Sequence, residues 1–267
     1  MAAKRNKSGM NKVKILNVEL DNLSQAEMLA QLKEGVVFTP NVDHLMRLQW
    51  DRAFWEVYQA ATFKVCDSKI ILYAATWLGT PLKAKLSGSD FFPAFYTYHR
   101  DNPDIRIFLL GAAPGVAKQA QANINAKVGR EIIVGAHSPS FGFEQDAAEC
   151  EALIDLVNRS GATVLAVGVG APKQEMFICR YRQRLPQVKI FLAIGATIDF
   201  EAGNVKRSPK WMSEVGLEWL YRLLAEPKRL WKRYLIDNPP FLWLVLKQKL
   251  NWYRDPFTAP DSPLSRS

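Results

Sequence analysis

The feature that most constrains this chain is a series of seven apolar, β-branched runs of strand length, separated by segments of helical period. They read VKILNV (13–18), GVVFTP (35–40), TFKVCD (62–67), IRIFLLG (105–111), EIIVGA (131–136), TVLAVGVG (163–170) and VKIFLAIGA (188–196). Several are apolar at successive positions and leave no face for water, as strands do when helices cover a parallel sheet on both sides. The order predicts an α/β fold, a Rossmann-like, mostly parallel sheet flanked by helices. Strand signals stop at Gly203, and from Pro209 the text is helical. It reads PKWMSEVGLEWLYRLLAE, then PKRLWKRYLID with Pro227 in its first turn, then PPFLWLVLKQKLNWY. The chain therefore divides into a flexible basic arm (1–12), an α/β body (13–204), a helical appendage (205–254) and a disordered, Pro- and Ser-rich tail (255–267).

Charge falls unevenly on that frame. The net charge is +9, and between Val205 and Arg254 eleven Lys/Arg stand against four Asp/Glu, with five more cations in the first fourteen residues. In GLEWLYRLLAEPKRLWKRYL (216–235) these cations interleave with tryptophan and leucine. Such a surface calls for an anionic partner: nucleic acid, phospholipid head groups or a phosphorylated substrate. The most apolar piece, FLWLVL (241–246), is far short of a membrane span, and the N-terminal residues lack the apolar core of a secretory signal. The expected location is the cytoplasm. Cys66, Cys150 and Cys179, like His44, His99 and His137, are too scattered for a disulfide framework or a zinc site, and no metal or cofactor is expected.

In a doubly wound sheet ligands bind at the carboxyl ends of the strands. Those positions here hold Thr39-Pro40-Asn41, Asp67-Ser68, the glycine turn from Gly111 to Gly115, and GVGAPKQE (168–175). Gly111 opens a tight turn into a helix, which offers backbone N–H groups to an anion. Lys173, Gln174 and Glu175 would bring one cation and two hydrogen-bonding side chains to the same mouth. Asp67 emerges from a buried strand, where desolvation tunes a general base, though an aspartate there can equally cap a helix beginning near Lys69. The G-x-G-x-x-G dinucleotide fingerprint is absent, which disfavours a nicotinamide oxidoreductase. Nor is there a D-x-D metal motif, so charge to stabilise a leaving diphosphate has to come from protein cations, with the C-terminal arginines the candidates.

These residues resemble the WecG/TagA/CpsF family of bacterial glycosyltransferases, glycosyltransferase family 26. The matching pieces are TPNVDHL (39–45), VCDS (65–68), LSGSDFF (86–92), FLLGAAPGVA (108–117), VGVGAPKQEMFI (167–178), GATIDFEAGNVKRSPKW (195–211) and the stretch 216–235, in family order. The resemblance implies inverting, metal-independent transfer of an N-acetylmannosamine-type sugar from a UDP-sugar to an undecaprenyl-diphosphate-linked acceptor. It makes Asp67 the base, Thr39 and Asn41 polar active-site residues, and Gln174 the glutamine of the P-K-Q motif. Arg222, Arg229 and either Lys232 or Arg233 match basic residues of an appendage that completes the site at an anionic membrane. Where the family usually has glycine after the aspartate this chain has Ser68, and where it has arginine before the G-S-D segment this chain has Lys85. The implied place is the inner face of the plasma membrane, and a homo-oligomer is compatible with the sequence. The contrasting expectation is a nucleic-acid-binding α/β protein that uses the basic tail.

Overall fold

The computed structural model describes residues 12–257, so nearly all of the expected arm and most of the expected tail lie outside the described residues. In chain order the body contains β1 (Lys12–Ile15), β2 (Val18–Asp21), α1 (Gln25–Gln31), β3 (Gly35–Phe38), α2 (Val42–Arg47), α3 (Arg52–Gln59), β4 (Phe63–Lys64), α4 (Lys69–Leu78) and α5 (Gly88–Tyr98). It continues with β5 (Ile107–Gly111), α6 (Val116–Val128), β6 (Ile133–His137), α7 (Ala147–Ser160), β7 (Val164–Gly168), α8 (Lys173–Tyr181), β8 (Ile190–Ala193) and α9 (Thr197–Ala202). The C-terminal helices are α10 (Lys210–Glu214), α11 (Glu218–Ala225), α12 (Pro227–Lys232), a π-helical turn (Arg233–Asp237) and α13 (Pro240–Lys249).

Six of the seven apolar runs form one sheet, in the order β4-β3-β8-β7-β5-β6, with every pairing parallel. The first run does not join it. VKILNV breaks at Leu16, whose φ is 54°, and the chain returns as β2 to make an antiparallel hairpin. This hairpin abuts the short edge strand β4, where Asp21 Oδ2 accepts from the Lys64 N–H at 2.7 Å.

Side-chain alternation along the strands builds two cores, as expected for a sheet covered on both faces. Phe38, Phe108, Leu110, Leu165, Val167 and Phe191 face one way, against residues of α2, α3, α4, α7 and α8. Val37, Ile107, Leu109, Val164, Ala166 and Leu192 face the other, against α1, α5, α6 and α9. Local chemistry starts the helices: Ser24 and Glu27 form a reciprocal capping box on α1, and Asn41, Asp51, Ser87 and Asp146 cap α2, α3, α5 and α7.

Pro227 opens α12, where its missing N–H costs nothing. The last helix, α13, packs on α2 and α4 and sends Phe241 and Val245 into the first core. Its Gln248 accepts from the Leu16 N–H at 2.7 Å and donates to the Lys14 carbonyl at 2.9 Å, which ties the hairpin to the C-terminal helices.

Candidate active site

Strand pairing brings two candidate residues together. The hydrogen bonds between β3 and β4 continue past the strands, Val65 N–H donating to Phe38 O at 3.0 Å and Asp67 N–H to Pro40 O at 2.9 Å. Asp67 is thereby held beside Asn41 at the carboxyl end of the sheet. Asn41 caps α2, its Oδ1 accepting from the His44 N–H at 3.2 Å. Ser68, not Asp67, occupies the N-cap of α4, so the Asp67 carboxylate is not engaged in capping.

Asp67 opens into a cleft of about 270 Å³. One wall is the body: Asn41, Asp43, Asp67, Ile70 and Lys85. The other comes from the C-terminal helices: Glu218, Trp219 and Arg222 of α11, Arg233 and Tyr234 of the π-helical turn, and Phe241 and Leu242 of α13. The Trp219 and Tyr234 rings stack obliquely with centroids 5.9 Å apart.

Desolvation pushes the Asp67 carboxyl up to about 7, with Glu218 and Asp90 adding to the rise and Arg222 and Lys85 opposing it. Three cations of the cleft are themselves held. Arg222 Nη2 donates to Glu218 Oε1 at 2.6 Å, and Arg233 Nε lies 3.3 Å from Asp43 Oδ1 while its Nη2 donates to Asn41 Oδ1 at 3.4 Å. Lys85 Nζ donates to Ser213 Oγ at 3.0 Å and Glu218 Oε2 at 3.3 Å, and lies 3.4 Å from Asp90. A tunable carboxylate facing fixed cations over a partly apolar floor can remove a proton from a hydroxyl and steady a departing anion.

The model of the Glycosyl transferase WecG/TagA/CpsF family matches residues 13–255. The chain belongs to this family of glycosyltransferases. Because the match runs through α13, both walls of the cleft lie within the glycosyltransferase domain.

Of the residues expected at the site, Asn41, Asp67, Lys85, Arg222 and Arg233 line the cleft of this glycosyltransferase. Thr39 is buried just before Asn41 at the end of β3. Arg229 points elsewhere, pairing with Glu226 at 2.6 Å on an exposed surface, and Lys232 is exposed on the same helix. Of the three side chains expected to converge after β7, Gln174 and Glu175 meet each other in the interior while Lys173 turns away. Lys173 pairs with Glu144 and lies over the Phe141 ring, while Gln174 is buried and its Oε1 accepts from the Gly195 N–H at 3.1 Å. Glu175 is fully buried, accepts from Gln174 Nε2 at 2.8 Å and leaves Oε2 without a hydrogen-bond partner. Burial pushes its carboxyl up to about 7.

Gly111 serves a close approach of strands: a Cβ there would lie 2.4 Å from the Gly168 carbonyl oxygen, at a φ of +144°. Sequence reasoning passed over Glu218 and Asp43, the two carboxylates that hold the arginines. The i, i+4 spacing of Glu218 and Arg222 was the available signal for the first, whereas Asp43 meets Arg233 only through the fold. Among the described residues no three His, Cys, Asp or Glu side chains gather as a metal site, and no helix is long and apolar enough to cross a membrane.

Proposed function

We propose that this glycosyltransferase moves an N-acetylmannosamine-type or related sugar from a UDP-sugar to a sugar carried on undecaprenyl diphosphate, with inversion and without a metal ion. The product belongs to cell-surface polysaccharide or teichoic acid synthesis at the inner face of the plasma membrane. The observation that carries this reading is the placement of Asp67, at the end of β4, across a cleft from Arg222 and Arg233. In the proposed step Asp67 takes the proton of the acceptor hydroxyl and the freed oxygen bonds to the anomeric carbon. The bond from that carbon to the diphosphate oxygen breaks on the opposite face, and UDP leaves with the electron pair. Arg222, Arg233 and Lys85 supply the positive charge that a metal ion supplies elsewhere.

Membrane docking is supported by exposed Trp211, Trp231, Leu235, Leu242 and Trp243 on the C-terminal helices, interleaved with lysine and arginine. The paired state of Arg222 and Arg233 inside a cleft fits a small anionic substrate better than an open nucleic-acid groove. The test is transfer from UDP-N-acetylmannosamine, its uronic acid or UDP-N-acetylglucosamine to a short-chain polyprenyl-diphosphate acceptor, with and without EDTA. Full activity in Asp67→Ala would sink the mechanism. Loss of activity in EDTA, restored by Mg²⁺, would remove the metal-independent step.

A further inference from the structure

A chain of alternating charges runs through the seam between the body and the C-terminal helices. Arg207 donates to Asp90, Asp90 lies 3.4 Å from Lys85, Lys85 lies 3.3 Å from Glu218, and Glu218 accepts from Arg222 at 2.6 Å. Ser213 Oγ sits inside the chain, accepting from Lys85 at 3.0 Å and donating to Glu218 at 3.3 Å. The middle of the chain is the most enclosed part: the Lys85 side chain is only 11% exposed, against 50% for Arg207 at the outer end. Asp67 lines the same cleft as the inner end of the chain, and Arg222 is the strongest influence of opposite sign upon it.

Glu218 therefore touches both cations that act on Asp67, Lys85 through Oε2 and Arg222 through Oε1. We propose that Glu218 is a positioning residue for the transfer: it holds Arg222 within α11 and balances its charge, so that Asp67 faces a guanidinium already paired, with the chain back to Arg207 as anchor. A free guanidinium beside Asp67 would make it a weaker base, because an opposite charge stabilises the ionised carboxylate. The remaining charged or titratable groups around Asp67 are Lys85 and Asp90 from the α5 side, Asp43 and Lys69 on its own wall of the cleft, Arg233 and Tyr234 on the opposite wall, and Tyr58 and Cys66 behind it. None of these bonds Arg222, so Glu218 alone among them sets its position.

The proposal rests on the reading of Asp67 as the base. Glu218→Gln keeps the shape and removes the charge. A ¹³C titration of aspartate-labelled protein, with Asp67→Asn identifying the Asp67 resonance, reads the carboxyl directly, and the pH profile of kcat/KM reads it in turnover. Both should move to lower pH by about one unit or more, kcat should fall more than KM changes, and Glu218→Asp should recover most of the loss. An unmoved Asp67 titration in a Glu218→Gln protein that melts like wild type, beside an inactive Asp67→Asn, overturns the proposal alone. Full turnover by Asp67→Asn removes the base and the proposal with it. Where Glu218→Gln does not fold, Asp90→Asn carries the test. It removes a charge that itself raises Asp67 and frees Lys85 to neutralise Glu218, so Asp67 should move in the same direction, and no movement there overturns the proposal.

Discussion

The Asp67 N–H donates to the Pro40 carbonyl at 2.9 Å, past the end of the regular pairing of β3 and β4. That bond fixes where the carboxylate leaves the sheet, and desolvation there raises it to about 7. A base acts only when ionised, so kcat/KM should fall as pH drops through about 7 and level off above it. Asp67→Asn should lower kcat by roughly 10²- to 10⁴-fold and abolish that acid limb. Steady-state rates from pH 5 to 9 check both, and an acid limb persisting in the variant would assign it to another group.

Glu175 gives a stability prediction with the sign fixed by its surroundings. Its carboxyl is raised to about 7 in the fold from an ordinary 4.5, so its contribution to stability is fully present below about pH 4.5 and is lost as pH rises through 7. Glu175→Gln keeps an acceptor for Gln174 and removes the cost of ionising a buried group. It should raise the melting temperature at pH 8 by at least about 2 °C, and the gain should fade toward pH 4. Thermal melts at the two pH values decide it, and equal melting temperatures at pH 8 would refute it.

The parallel sheet was legible because burial on both faces writes itself as unbroken apolar runs, as in IFLLG of β5 and VLAVG of β7. VKILNV carried the same signal yet became a hairpin, because the partner strand Val18–Asp21 begins within the run itself, and the residue that ties it to the C-terminal helices, Gln248 of α13, is more than 230 residues away. Asp67 and Asn41 were legible as strand-end residues. The sequence showed KQE as one polar cluster, but a helix start turns successive side chains by about 100°, so Lys173 meets Glu144 and Phe141 while Glu175 meets the core. Which arginine faces the cleft was likewise hidden. The break at Glu226 and the π-helical turn after Lys232 reset the helical phase between Arg222, Arg229 and Arg233.

That phase yields a graded prediction for the C-terminal cations. Arg222 and Arg233 line the cleft, so either one changed to Ala should lower kcat/KM by about 10²-fold or more. Arg229 and Lys232 lie outside it, and their change to Ala should cost about fivefold or less, in line with an exposed ion pair. Kinetics of the four single variants under one donor and acceptor test the order. A large loss in Arg229→Ala with a small one in Arg222→Ala would reverse it.

Gly111 tests the packing beneath the glycine turn. An added methyl would meet the Gly168 carbonyl at 2.4 Å, where the contact is backbone and neither strand can yield without moving the other. Gly111→Ala should destabilise the protein by about 2–4 kcal/mol. Chemical denaturation measures this, and a change under about 0.5 kcal/mol, the scatter of surface substitutions, would show that the strands adjust.

Membrane docking has to be tested without removing the helices that support it. Truncation after Val205 would take Phe241 and Val245 out of the first core and strip the Leu16 N–H of its acceptor, so lost binding would be confounded with lost packing. Leu242 and Trp243 avoid this, being 65% and 53% exposed on the same helix. The Lys247 ammonium lies 5.4 Å from the Trp243 ring, and α13 packs on α4, where Trp77 is also half-exposed beneath Lys249. An apolar side chain that enters lipid contributes about 1.5–3 kcal/mol, and each lysine near an anionic leaflet about 1 kcal/mol. Changing both Leu242 and Trp243 to Ala should therefore reduce cosedimentation with phosphatidylglycerol vesicles by about tenfold or more, while the melting temperature stays near that of wild type. Raising salt should weaken wild-type binding further, because the lysine contribution is screened. Unchanged sedimentation in the double variant would place the membrane contact elsewhere on the molecule.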